Sequence, residues 1–392
     1  MRSLQRDLAR ALERAAKAFP AVVLSGPRRS GKTWLLRHLF PKGSYVLLED
    51  PDVVTRFRAD PQRFLDELPT PAILDEIQNV PEAFAYVRSR IDRRPRRTGQ
   101  YFLTGSQDAP LMRGVTESMA GRAAVFQLLP FSARESKRGN PHVGGFPEVI
   151  ARPRSAALWF SSYVQTYLER DVRAVTAVRD LSTFRRFLGL VAARHGQTLN
   201  RSDLAAPLGV TIPTVSQWLS ILETTAQVLI VPPYFENFGK RLVKSPKIYL
   251  ADSGLACHLL GIANQAELRR SPFLGPIFEG FVASEIAKSQ ANRGARRELY
   301  YFRDHQGLEV DFVVPAPRDG LRLIECKATR TPLPGMTSSL HQLHAAARAA
   351  FPRKRLELLL VHDPGARASE ARTAISPGVR ALAWPDFTRE LE

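Results

Sequence analysis

A chain of 392 residues exceeds the size at which a single hydrophobic core usually stops growing, so several domains are expected. Its 56 Lys and Arg outnumber 38 Asp and Glu for a formal charge of +18, while 44% apolar and 24% charged residues exclude a disordered polyelectrolyte. Cys257 and Cys326 stand outside any CxxC spacing, which excludes a disulfide framework or a zinc ribbon and points to a reducing cytoplasm. No stretch approaches the length of a bilayer-spanning helix, and the first twenty residues are amphipathic and charged, so neither secretion nor membrane insertion is expected. The cationic surplus favours a polyanion through counterion release, with DNA as the first candidate. An arginine-rich composition throughout the chain would give part of the same sum.

The apolar run AVVLS at 21 to 25 is followed at once by GPRRSGKT and then by WLLRHLF at helical spacing, which predicts strand, loop and helix. Gly26 and Gly31 let the loop turn backbone N–H groups toward one anion, and the following helix N-terminus adds its partial positive charge. The loop residues Gly26, Pro27, Arg28, Arg29, Ser30, Gly31, Lys32 and Thr33, with Trp34 beyond them, are the expected ATP contacts. Lys32 would reach the β- and γ-phosphates, and the Thr33 hydroxyl would hold Mg²⁺. In PAILDEIQ a buried strand delivers Asp75 and Glu76 to its C-terminal edge, where parallel α/β sheets place ligands. Asp75 is the expected Mg²⁺ partner and Glu76 the residue that activates water. Strands at SYVLL (44 to 48), QYFLT (100 to 104) and AVFQL (124 to 128) complete an expected five-stranded parallel sheet. Thr104 and Ser106, after the fourth strand, could sense the γ-phosphate or orient the water.

This layout resembles an AAA+ ATPase core. The resemblance implies an arginine completing a neighbouring subunit's site, with Arg122 in SMAGRAA as first candidate and Arg170 and Arg173 behind it. Arg88, Arg90, Arg93, Arg94, Arg96 and Arg97 crowd one stretch before the fourth strand, either as a solvated basic face or as the lining of a channel for nucleic acid.

Residues 155 to 195 carry aromatic side chains at helical spacing and predict packed helices. The segment from Gln197 to Tyr234 reads as a helix from Ser202, a turn at Gly209, a second helix from about Pro213 and a β-ribbon from Val228, which is a helix-turn-helix with a wing. Thr211, Thr214, Ser216, Gln217 and Trp218 are expected on the outer face, with Thr211, Thr214, Gln217 and Trp218 as DNA contacts. The alternative is a structural winged helix that contacts protein, and residues 202 to 227 contain neither Lys nor Arg.

In the last third, FEGFVASEI predicts a helix carrying Glu279 and Glu285, YYFRDHQGLEVDFVV a hairpin carrying Asp311, and LRLIECKAT a strand carrying Glu325 and Lys327. Strand alternation puts Glu325 and Lys327 on one face. The arrangement is that of the PD-(D/E)xK nuclease superfamily. Glu279, Asp311 and Glu325 would hold a second Mg²⁺ or Mn²⁺, and Lys327 would position or deprotonate the attacking water. The same fold kept as a scaffold without catalysis is the competing reading.

From GPRRSGKT, AILDEIQ and FLTGS through GGFPEV, YLERDVR, NFGKRLVKSPKIYLADSGLACHLLGI, EVDFVV and IECKAT, the chain resembles a family of bacterial and archaeal AAA+-type ATPases. In that family the C-terminal domain, of unknown function, is restriction-endonuclease-like. The expected fold class is α/β: a P-loop AAA+-like parallel five-stranded core (1–134), a helical connector (135–180), a winged helix-turn-helix (181–235) and a PD-(D/E)xK nuclease-like α/β domain (236–392). The resemblance implies an ATP hydrolase that assembles as a homo-oligomer, a hexameric ring being one form. The leading reading is a motor or switch on DNA, branched or broken, and the alternative is a signalling or defence ATPase whose later domains bind protein partners.

Overall fold

The computed structural model describes residues 5–105, 115, 117–168, 181–234, 243–365 and 373–391, so Ser106, Arg170 and Arg173 lie outside the described residues. The chain divides into two compact units: residues 1–131 with the short segments 224–226 and 290–296, and residues 132–223, 227–289 and 297–392.

The first unit is built on five strands, β1 (Ala21–Ser25), β2 (Ser44–Leu47), β3 (Ala72–Asp75), β4 (Tyr101–Thr104) and β5 (Ala123–Gln127), in the order β2-β3-β4-β1-β5. All neighbours are parallel. β1, β3 and β4 are continuous apolar runs because helices cover both faces of a parallel sheet. On one face Val23, Leu74 and Leu103 pack with Phe57, Phe84 and Val87; on the other Val22, Leu24, Ile73 and Phe102 pack with Leu8, Leu12, Leu35 and Leu36. The register Leu24↔Thr104, Leu74↔Leu103 and Leu47↔Asp75 brings the ends of β1, β3 and β4 to one edge. That edge carries the phosphate loop.

In the second unit, helices Ala156–Tyr163, Leu181–Ala193, Ile212–Thr224 and Ser253–Leu259 share one core around Phe160, Phe184, Phe187 and Leu222. Beside them β6 (Gln197–Thr198), β7 (Val228–Val231) and β8 (Lys247–Leu250) form an antiparallel sheet in the order β6-β8-β7. This corrects the expected boundary at residue 236: β8 pairs with β6 and β7, and Leu255, Cys257 and Leu268 belong to the same core as Phe184. Asp252 ties this region together. Its carboxylate accepts the Leu255 N–H (3.0 Å) at the helix start and the Gly145 N–H (2.7 Å), so the GGFPEV and ADSGLA strings dock on one side chain. A Cβ at Gly144 would collide with the Asp252 carboxylate.

A second correction concerns Trp218. It is 3% exposed and packs edge-on against Phe184 and at a tilt against Phe187, with ring centroids 5.4 and 5.1 Å away, so it is core and not a DNA contact. Thr211 and Gln217 are exposed and Thr214 half-buried. Thr211 and Thr214 hydroxyls are 2.9 Å apart, and Thr211 also accepts the Thr214 N–H at 3.3 Å near the start of Ile212–Thr224.

The remaining strands, β9 (Tyr300–Arg303), β10 (Glu309–Ala316), β11 (Gly320–Lys327), β12 (Leu356–His362), β13 (Thr373–Ser376) and β14 (Val379–Ala383), form a mixed sheet in the order β13-β14-β12-β11-β10-β9. β9, β10 and β11 are antiparallel neighbours, whereas β11, β12 and β14 run parallel. Helix Ser338–Ala350 closes one face through Leu340 and Leu343.

Candidate functional site

The phosphate loop runs between β1 and helix Lys32–Leu39. Gly26 has φ 143°, and a Cβ there would strike the Leu128 carbonyl, so the loop cannot leave β1 in this way with any other residue. Lys32 is buried, and its ammonium donates to the carbonyls of Gly26 (3.0 Å) and Pro27 (3.1 Å), which holds it inside the loop. Ser30 is buried, Arg28 half-buried and Arg29 exposed, while Trp34 is 47% exposed and stacks on His38.

Three of the expected residues meet at the end of β3. The Thr33 hydroxyl donates to Asp75 Oδ2 at 2.8 Å, and the Thr104 hydroxyl donates to Asp75 Oδ1. Thr104 also accepts, at 3.4 Å, the backbone N–H of Glu76, which adopts the left-handed conformation at φ 56°. The Glu76 carboxylate accepts from the Gln78 side chain at 2.5 Å. A threonine hydroxyl and a buried carboxylate in contact are hard oxygen donors, so Thr33 and Asp75 fit a magnesium ion, which supplies charge neutralisation on the nucleotide phosphates.

Two residues here carry no sequence signal. The Tyr45 hydroxyl, from β2, donates to Asp75 Oδ2 at 2.8 Å; burial first, and then this bond, raise its pKa well above the ordinary phenol value. Arg6 is buried, with one guanidinium nitrogen on the Ser30 carbonyl (3.1 Å), another on the Leu129 carbonyl (2.6 Å), and its plane 4.4 Å from the Phe131 ring. It braces the loop from behind. Arg6→Ala should weaken ATP binding by about tenfold, the equivalent of ~1.4 kcal/mol, measured as the KM for ATP hydrolysis. An unchanged KM would mean that the loop holds its shape without the brace.

Arg122 sits at the start of β5, the edge opposite the phosphate loop, and its guanidinium grips Asp92 at 2.6 and 3.1 Å. This bond holds the Asp92 carboxyl below its usual range. Arg122 therefore does not face the phosphate loop of its own chain. Arg88, Arg93, Arg94, Arg96 and Arg97 are exposed together around the end of helix Ala83–Arg93, whereas Arg90 turns inward to pair with Asp66.

A second polar cluster lies on the C-terminal sheet. Glu279 accepts from Lys247 (2.8 Å) and from the Tyr249 hydroxyl (2.5 Å); Asp311 accepts the Cys326 N–H (2.8 Å); Glu325 accepts from Lys327 (2.7 Å) and Ser339 (3.2 Å). Burial, and then the charge of Asp311, push Glu279 and Glu325 each up to about 7, and burial raises Asp311 as well. Burial works to lower the Lys247 pKa, but Glu279, Asp311 and Glu309 around it outweigh that and leave it raised. Glu285 lies apart, bonded to Lys288 (2.9 Å) and the Ala133 N–H (2.8 Å). The expected metal set does not fit a metal as it stands: Lys247 is inside the cluster, and among the described residues no group of three or more His, Cys, Asp or Glu is arranged to hold an ion. Sequence reasoning misses Lys247 because it belongs to neither the acidic-strand nor the ExK pattern, and it passes over Glu309 although this residue precedes Asp311 by two on the same strand and so shares its face.

The family described as "AAA domain" matches residues 18–137, "Domain of unknown function (DUF8612)" matches 141–266, and "Domain of unknown function (DUF4143)" matches 274–373. The uncharacterized proteins Rv2008c of Mycobacterium tuberculosis and Mb2031c of Mycobacterium bovis are each 35% identical over 318 residues, covering 79% of this chain and 71% of theirs. The chain belongs to their family. It is an AAA-type P-loop ATPase with a C-terminal DUF4143 domain. The Walker-type ATPase PABY2304 of Pyrococcus abyssi is 17% identical with a TM-score of 0.45, over 64% of this chain and 94% of that one. The DUF8612 match spans β8 and helix Ser253–Leu259, in keeping with the shared core found there.

Proposed function

We propose that this ATPase is a motor or switch acting on DNA, and that Glu76 activates the water that attacks the γ-phosphate. The observation that carries hydrolysis is the meeting of Thr33, Asp75 and Thr104 at the end of β3, with Glu76 directly following. In this reading Lys32 exchanges the Gly26 and Pro27 carbonyls for nucleotide phosphate oxygens, and Thr33 and Asp75 hold the magnesium ion. Thr104, already on Asp75 and the Glu76 backbone, keeps the catalytic carboxylate aimed; Ser106 shares the sensing role. Arg122 serves a neighbour in a homo-oligomer.

DNA is supported by the charge of +18 and by the exposed arginines around Arg93. Contacts of this kind bind phosphate and carry little base specificity. The segment 181 to 235, read as a winged helix-turn-helix, adds Thr211, Thr214 and Gln217 as further contacts. Charge reversal at Arg94, Arg96 and Arg97 should weaken binding of a fluorescent duplex and flatten its salt dependence by about 0.9 log unit per log unit of salt for each phosphate that is no longer neutralised. An isotherm that does not move at either of two salt concentrations would remove this surface from the account.

The signalling or defence reading, with protein partners, is favoured by a separate observation: the helix-turn-helix has no Lys or Arg from 202 to 227 and its tryptophan is buried. Stimulation of ATPase activity by DNA separates the two. A metal-dependent nuclease reaction at Asp311, Glu325 and Lys327 draws no support from the cluster's geometry.

A further inference from the structure

Lys247 opens β8 and is itself buried, with its side chain 3% exposed. Its ammonium lies 2.8 Å from Glu279, 2.5 Å from Glu309 and 3.9 Å from Asp311, beneath the Tyr301 ring at 5.5 Å. These carboxylates come from helix Leu274–Asn292 and from two positions on β10, and they converge on one point. Oxygen donors converging on a point are what a hard divalent ion requires, and here the point is taken by an ammonium with three N–H donors. The rest of the cluster is matched as well. Lys327 pairs with Glu325 at 2.7 Å, and Arg303 stands 3.5 Å from Glu309. Lys247, Lys327 and Arg303 thus face Glu279, Glu309, Asp311 and Glu325, so that a divalent ion could enter only by displacing a buried cation.

We infer that Lys247 is a built-in cation filling the divalent-ion position of the C-terminal cluster: Glu279, Glu309 and Asp311 bind no metal while it is present and form a Mn²⁺ or Mg²⁺ site once it is removed. The inference goes beyond the ATPase reading and depends on neither ATP nor DNA. It also gives the KSPKIYL segment a task, since β8 is hydrogen-bonded to β6 and β7 and delivers its first side chain into the cluster.

The test is Mn²⁺ bound per full-length chain, measured by electron paramagnetic resonance without nucleotide, in an Asp75→Asn background that removes the carboxylate of the phosphate-loop site. With Lys247 present, no Mn²⁺ should bind that Asp311→Asn can remove. Lys247→Ala or Lys247→Met should gain one Mn²⁺ per chain, lost again on adding Asp311→Asn. Mn²⁺ bound by the Lys247 chain and released by Asp311→Asn would overturn the inference. So would a folded Lys247→Ala chain, verified by circular dichroism, that gains none. If neither Lys247 variant folds, the comparison of Lys247 chains with and without Asp311→Asn decides alone.

Discussion

Glu76→Gln should reduce steady-state ATP hydrolysis by at least about 10²-fold, the lower end of what a positioned general base contributes, while ATP still binds. The separation follows from the geometry. Lys32, Thr33 and the loop backbone contact phosphates, and Asp75 is held by Thr33, Thr104 and Tyr45 independently of the Glu76 side chain. The amide keeps the shape of Glu76 and its neighbour Gln78 but cannot accept a proton. Fluorescent ATP-analogue binding should be retained in this variant while turnover falls by that factor. Equal falls in binding and turnover would mean that Glu76 shapes the loop and does not act on water.

Trp218→Ala should destabilise the second unit by about 3–5 kcal/mol, the usual range for emptying a buried aromatic site. At roughly 2–4 °C per kcal/mol for a body of this size, the fall in Tm is plain in a calorimetric scan. The ring is enclosed by Phe184 and Phe187, and the cavity opens in the core shared with Leu222 and Leu255. Gln217→Ala, one residue earlier and exposed, should change stability by no more than ~0.5 kcal/mol. A Trp218→Ala chain of unchanged Tm with selectively weakened DNA affinity would restore the groove contact that its burial argues against.

The P-loop core is legible because its signals are local. AVVLS is a short apolar run that leads straight into the phosphate loop, AILD and YFLT end on Asp75 and Thr104, and a parallel sheet puts such ends on one edge. Trp218 is misplaced by a reading of polar neighbours although its spacing holds the answer. Val215, Trp218, Leu219 and Leu222 follow the i, i+3, i+4, i+7 pattern of one buried stripe, so the ring belongs with the leucines. Lys247 is beyond reach of such patterns. Its task depends on β8 pairing with β6 and β7 and on Glu279 and Glu309, remote in sequence, arriving at its ammonium. The expected Glu279, Asp311, Glu325 and Lys327 do gather in one region, but an acidic triad read from sequence gives no notice of a lysine delivered between its members. Arg6 and Tyr45 escape for the same reason, since an arginine just before an amphipathic helix and a tyrosine in a strand are ordinary in sequence.

The measurement that bears most directly on the central claim is the steady-state ATPase rate of the wild-type chain and of Glu76→Gln, alone and with duplex, single-stranded or four-way-junction DNA, at two salt concentrations. Hydrolysis in the wild type should rise with at least one DNA form, fade as salt increases, and fall by at least about 10²-fold in Glu76→Gln under every condition. Glu76-dependent hydrolysis indifferent to all DNA would contradict the DNA reading and leave a switch working through protein partners, and hydrolysis undiminished in Glu76→Gln would contradict the catalytic assignment itself.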